Sequence, residues 1–146
     1  LNKQQISDNP KDGMDIALCI FDEARRQVLF AGAHRPLYRI RRGELTETSG
    51  DKFGIGGLKN KFDIEFTNHV LPYESGDCFY IFSDGYPDQF GGRRGRKFKT
   101  SNLKELLVSI YDTPMHRQKE QLYDALKEWQ GSLRQVDDIL LIGVRI

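Results

Sequence analysis

The chain has 146 residues, 38% of them hydrophobic and 29% charged, with a formal net charge of +1 at pH 7. That length suits one domain with a real core, and the near-balanced charge removes bulk electrostatics as a reason to bind nucleic acid or a membrane surface. No apolar run approaches the roughly 20 residues needed to span a bilayer, and no signal peptide precedes the first polar residues, so a cytoplasmic setting without membrane contact is expected.

Residues 1–11 are polar, carry no cap or periodic pattern, and are expected to be disordered or a remnant of something upstream. Met14 to Phe21 is apolar at nearly every position, the pattern of a strand covered on both faces. After the turn Asp22 to Arg26, a second strand is predicted over Gln27 to Ala33. Pro36 to Ile40 and Glu44 to Thr48 flank Arg41, Arg42 and Gly43, which reads as a hairpin. Lys52 to Lys61 holds Gly54, Gly56 and Gly57 and reads as a loop. Phe62, Ile64, Phe66 and Val70 alternate with polar residues, predicting a strand with one dry face. A turn at Glu74 to Asp77 leads into the apolar strand Cys78 to Phe82.

Two helices follow. Asn102 is placed to cap the first, ahead of the stripe Leu103, Leu106, Leu107 and Ile110. Thr113 and Pro114 are placed to open the second, whose stripe is Leu122, Ala125, Leu126 and Trp129 and whose end is Gly131. A final strand is expected over Ile139 to Ile146. Strands, then two helices, then one strand predict an α+β fold with a mainly antiparallel sheet. Cys19 and Cys78 sit in apolar runs without CxxC spacing and read as reduced core thiols.

Two carboxylates stand where buried strands meet loops. Asp84 follows Cys78 to Phe82 within Ser83-Asp84-Gly85, and Asp137 opens the last strand within Gln135-Val136-Asp137-Asp138. A carboxylate there is costly unless it is solvated, accepts hydrogen bonds or holds a cation. Magnesium and manganese take oxygen ligands and use one or two carboxylates with several waters, so convergence of the two aspartates on one hard metal is one reading. An ordinary Asp-Gly turn is the other. Arg93, Arg94, Arg96, Lys97 and Lys99 cluster nearby, either as a solvated loop or as a steering element for a phosphorylated substrate. Nucleic acid is disfavoured as a partner of this cluster because only Phe98 is interleaved with it. Asp15, between apolar neighbours, reads as buried and hydrogen-bonded, or else as a residue orienting outer-shell waters, with the structural reading preferred. His34 reads as a turn residue making local hydrogen bonds, His69 and His116 as solvent-facing, and Trp129 as core.

The stretch from Phe79 to Gly92, with Ser83-Asp84-Gly85-Tyr86-Pro87-Asp88 at its centre, closely resembles bacterial phosphatases of the stage II sporulation (SpoIIE-like) type. These belong to the metal-dependent (protein phosphatase 2C-like, PPM) superfamily. Residues 12–17, 31–37 and 135–139 look like the same family in the same order, and Gly54 to Gly57 falls where that family has a glycine turn. The resemblance implies part of a β-sandwich flanked by helices. It also implies hydrolysis of phosphoserine and phosphothreonine on a regulatory protein, of the anti-sigma antagonist type, by a metal-activated water at a pair of Mn2+ or Mg2+ ions. By the same resemblance Asp84 and Asp137 hold one of the two metals; Gly85 and Asp138 are outer-shell candidates, Asp138 alternatively a structural carboxylate, and Arg93, Arg94 and Arg96 are the members of the basic cluster placed to steer substrate.

The family's upstream motif of the form Asp-x-Thr-Gly-His-Gly, whose aspartate bridges both metals, has no counterpart in this sequence. The expectation is therefore that residues 12–146 correspond to the C-terminal portion of a catalytic domain, with half of the metal shell and no assured activity alone. The alternative is a non-catalytic protein-binding or dimerisation module, with a homodimer covering an unsupported sheet face.

Overall fold

The computed structural model describes residues 13–56 and 65–146. The expectations for residues 1–11, for Gly57 and for Phe62 and Ile64 lie outside them. In chain order the elements are β1 (Gly13–Met14), β2 (Ile16–Asp22), β3 (Gln27–Ala33), β4 (Leu37–Arg41), β5 (Glu44–Thr48), β6 (Ile55–Gly56), β7 (His69–Pro72) and β8 (Cys78–Phe82). A single helical turn α1 (Gly85–Asp88), the short strands β9 (Phe90–Gly91) and β10 (Arg96–Lys97), the helices α2 (Thr100–Ile110) and α3 (Met115–Gln130), and β11 (Leu141–Arg145) complete the chain. The fold is α+β, as the element order predicts, and the paired strands are antiparallel throughout.

One sheet runs β11-β8-β4-β5 and another β2-β3-β7. Their facing residues interlock: Val28 and Phe30 of the smaller sheet pack with Leu37 and Phe79 of the larger, and Ala17, Cys19 and Phe21 pack alongside. The other face of the larger sheet buries Tyr38, Ile40, Tyr80 and Phe82 against Leu103, Leu107, Leu122 and Leu126 of the two helices. The result is three layers, sheet on sheet with helices on one outer side. Buried hydroxyls tie the layers together: Tyr80 donates to Gln118 Oε1 at 2.8 Å and Tyr86 to the Leu122 carbonyl at 2.7 Å. Both cysteines are free thiols; Cys78 is buried in the core as read, while Cys19 is half-buried against it, and burial pushes the Cys19 thiol up to about 11. Among the described residues no helix is long and apolar enough to cross a membrane.

Several local expectations are corrected. The run Met14 to Phe21 is not covered on both faces, because β2 is an edge strand of a sheet whose outer side is open. Its alternate residues Leu18 and Ile20 are 54% and 53% exposed. Ile55–Gly56, placed in a loop, pairs with Gly13–Met14. The strand read from Phe62 begins among the described residues only at His69, and its register turns Val70 outward while His69 stacks on Phe30 at 5.8 Å. The first helix starts at Thr100, so Asn102 lies inside it. The entry is set by Lys99, which has φ +76 and donates its N–H to the Pro87 carbonyl. The Thr113 hydroxyl turns back to the Ile110 carbonyl instead of capping the second helix. Gly131 does end that helix, in the left-handed region with φ +56. The hairpin turn holds Arg42 and Gly43 at φ +51 and +82, the pair of positive values that a two-residue type I′ turn requires.

One buried charge anchors the far end of the larger sheet. Asp77, 1% exposed, accepts a two-pronged grip from Arg41 at 2.8 and 2.6 Å and the Glu74 N–H at 3.0 Å. Burial pushes its carboxyl up, but the Arg41 guanidinium and the Glu74 N–H outweigh that and hold it below the ordinary value. A carboxyl lowered in the native state stabilises the fold at neutral pH. That contribution fades as pH falls toward the ordinary aspartate value of about 3.9 and is lost below the lowered native value. Asp77→Asn is expected to cost about 3 kcal/mol in a denaturant melt at pH 7, near the low end for breaking a buried pair because Arg41 keeps some exposure. Equal midpoints for the two proteins would remove Asp77 as an anchor.

Candidate metal centre

Pairing of β8 with β11 brings the two aspartate-bearing segments to one end of the larger sheet. The register sets Leu141 opposite Phe82, and Ser83 extends it by one residue through its N–H to the Leu140 carbonyl at 2.9 Å. The Ser83 hydroxyl then stitches the two loops. It donates to the Asp138 carbonyl at 2.8 Å and accepts from the Leu140 N–H at 2.9 Å. Gly85 packs so tightly on this crossing that a Cβ there would lie 2.3 Å from the Asp138 carbonyl oxygen. Asp84 thus follows β8 by two residues and Asp137 precedes β11 by four, at the same end of the larger sheet. Gly85 meets Asp138 at this crossing, and it is the backbone of Asp138 that makes the contact.

Asp84 stands at the head of α1 with its side chain 47% exposed, and its Oδ2 accepts from Arg35 Nη2 at 2.9 Å. The same nitrogen donates to Asp15 Oδ2, also at 2.9 Å. The Arg35 guanidinium holds the Asp84 carboxyl below its ordinary value, against a smaller upward push from burial. Asp15 is therefore not the buried acid read from its neighbours. Its side chain is 37% exposed and belongs to this cluster, because it precedes β2 at the open edge of the smaller sheet. Asp137 is exposed and its Oδ1 accepts the N–H of Asp138 at 2.7 Å. Arg35 is the participant that sequence reasoning missed. Its partners lie 20 and 49 residues away, and no local pattern encodes such a contact.

A polar cavity of about 310 Å³ opens beside Asp84, with His34, Arg35, Ser49, Asp88 and Thr100 among its walls. His34 sits in the turn as read, at φ +58, with its N–H on the Asp51 carbonyl. Arg93, Arg94 and Arg96 are exposed on the β9–β10 hairpin, which is pinned by Gly91 and Gly92 against Trp129, while Lys97 pairs with Asp88 at 2.8 Å. A larger cavity of about 890 Å³ between α3 and β11 includes neither Asp84 nor Asp137 in its walls.

The donor chemistry fits one hard cation. Half-exposed Asp84 and exposed Asp137, on loops joined by the Ser83 bonds, are oxygen donors of the kind magnesium and manganese take alongside water. No cluster of three or more acidic, histidine or cysteine side chains placed to hold a metal occurs among the described residues. A second ion of a pair would thus draw on donors beyond them.

The sequence profile of the stage II sporulation protein E (SpoIIE) family matches residues 2–146. The SiaA-PP2C domain of Pseudomonas aeruginosa superposes with a TM-score of 0.82 at 34% identity, covering 90% of this chain and 51% of that one. A structure of the PP2C phosphatase domain of SpoIIE from Bacillus subtilis, with a fragment of its regulatory domain, gives a TM-score of 0.70 at 19% identity, covering 90% of this chain and 37% of that one. PppA, described as a regulatory component of T6SS in Pseudomonas aeruginosa, gives 0.59 at 18% identity, covering 92% and 58%. The last two share the fold alone. The chain spans about half the length of the solved structures it matches. No curated protein sequence matches it.

Proposed function

The chain belongs to the SpoIIE family of PP2C-like phosphatase domains, and from that premise we propose that it forms one side of a metal-dependent protein serine/threonine phosphatase centre. The observation that carries this reading is the β8–β11 crossing, which sets the Asp84 and Asp137 loops side by side through Ser83 and Gly85. Asp84 and Asp137 are the residues that would hold a manganese or magnesium ion. Such an ion supplies charge stabilisation at a phosphoryl group and a water made acidic enough to attack it.

The chain's own groups shape the rest. The cavity beside Asp84 is large enough to admit a phosphorylated serine or threonine side chain. Arg93, Arg94 and Arg96, exposed on a hairpin pinned to α3, raise the local concentration of an anionic protein without gripping it at close range. A phosphorylated regulatory protein, of the kind that antagonises an anti-sigma factor, is the substrate class this reading supports.

Phosphate release from a phosphoserine peptide by the protein carrying its complete catalytic domain, followed as manganese is titrated in and then chelated, tests the reading. Release is expected to rise with manganese and to vanish with chelator. Release that ignores the chelator would overturn the metal assignment. Manganese binding without any release would favour the non-catalytic binding module.

A further inference from the structure

Arg35 is a cation already installed at the candidate centre. A single nitrogen of its guanidinium, Nη2, donates to Asp15 and Asp84 at 2.9 Å each, so two carboxylates from different sheets share one positive group. The backbone that delivers it is tightly determined. His34, the residue before, is held in the left-handed region at φ +58, with its N–H on the Asp51 carbonyl at 2.8 Å. The Arg35 carbonyl is wedged against two glycines: a Cβ on Gly32 would come within 2.2 Å of it, and one on Gly50 within 2.6 Å. Pro36 follows and limits the conformations open to Arg35. A strained and over-determined turn that aims one side chain at an acidic pair is a positioned feature, unlike a mobile surface arginine.

The placement has a consequence for cation binding. A carboxylate oxygen engaged in a charge-assisted hydrogen bond is a poorer ligand, and a fixed guanidinium beside it repels a divalent ion. Asp15 gives the guanidinium a second partner, so the group can leave Asp84 without becoming an unpaired charge. We infer that Arg35 is a resident counter-cation that competes with the divalent ion for Asp84, with Asp15 as the acceptor to which it withdraws. This inference rests on the reading of Asp84 as a metal ligand.

Manganese binding, read from the electron paramagnetic resonance signal of the free ion, separates the two ideas without relying on activity. Arg35→Gln is expected to tighten manganese binding by a factor of about three to ten, the range for losing a half-exposed charge-assisted pair. That gain should disappear when Asp84→Asn is added. Asp15→Asn should weaken binding by a factor of about three in an otherwise unchanged protein and have no effect beside Arg35→Gln. Unchanged or weaker binding in Arg35→Gln, with binding still lost in Asp84→Asn, would overturn the competition while leaving the metal reading intact. Undiminished binding in Asp84→Asn would instead remove the metal reading itself. Should Arg35→Gln fail to give a cooperative thermal melt, Arg35→Lys carries the test, because an ammonium lacks the planar fork that favours the shared grip. It should tighten binding by a factor of about three, and wild-type affinity would count against the inference.

Discussion

Asp84→Asn is expected to abolish manganese-dependent phosphate release, lowering it by a factor of about 10² or more, since changes even one shell out from a metal cost 10- to 100-fold. The substitution keeps size and shape but replaces an anionic oxygen donor with an amide, which a hard divalent ion binds far more weakly. The fold should barely notice. Asp84 is about half exposed, and its pairing with Arg35 is the kind of partly solvated ion pair whose loss costs between about 0 and 1 kcal/mol. Loss of activity and of manganese affinity, with an unchanged thermal midpoint, is therefore the signature of a metal ligand. A large stability loss would recast Asp84 as a structural partner of Arg35, and wild-type turnover in the variant would sink the assignment.

How far the sequence disclosed this arrangement depends on the distance over which each feature is encoded. β3, β4 and β5 were legible because alternation and a two-residue turn are local signals, and the α2 and α3 stripes because 3.6-residue periodicity is local too. Whether an apolar face is covered is not a local property. Leu18, Ile20 and Val70 are as apolar as core residues, yet they face outward because nothing among the described residues packs on that side of the smaller sheet. Helix entries were misjudged for a related reason. Lys99 is set by its bond to Pro87 in α1, a constraint stronger than the capping preference of Asn102.

The candidate centre divides in the same way. The carboxylates at Asp84 and Asp137 are legible because charge beside an apolar run is conspicuous, although the run after Asp137 forms a half-exposed strand that begins only at Leu141. What holds their loops together is a serine hydroxyl, a glycine without a side chain and a backbone carbonyl, none of which announces itself in a sequence. Arg35 gives no such signal beside His34, because the acids it serves are remote in the chain.

Gly85→Ala is the sharper test of that crossing. Gly85 does not adopt a positive φ, so alanine meets no backbone strain there, and the effect is purely one of space. The added methyl would lie 2.3 Å from the Asp138 carbonyl oxygen, 2.8 Å from its carbon and 3.0 Å from Ile139 Cγ1. Two of these are backbone atoms that cannot rotate away, so the Asp137 loop must move as a unit. Such a shift pulls the Asp138 carbonyl off the Ser83 hydroxyl and separates the two aspartates. Overpacking of this kind costs about 1–3 kcal/mol, and the upper half of that range is expected because backbone, not side chain, must yield. Gly76→Ala is the matched control: at φ +93, with nothing within 4 Å of its added carbon, it should cost about 1 kcal/mol from backbone strain alone. Manganese affinity should fall in Gly85→Ala and stay at the wild-type value in Gly76→Ala. If both variants lose stability but neither loses manganese, the crossing supports the sheet without aligning the carboxylates, and the case for Asp137 as the partner of Asp84 falls with it.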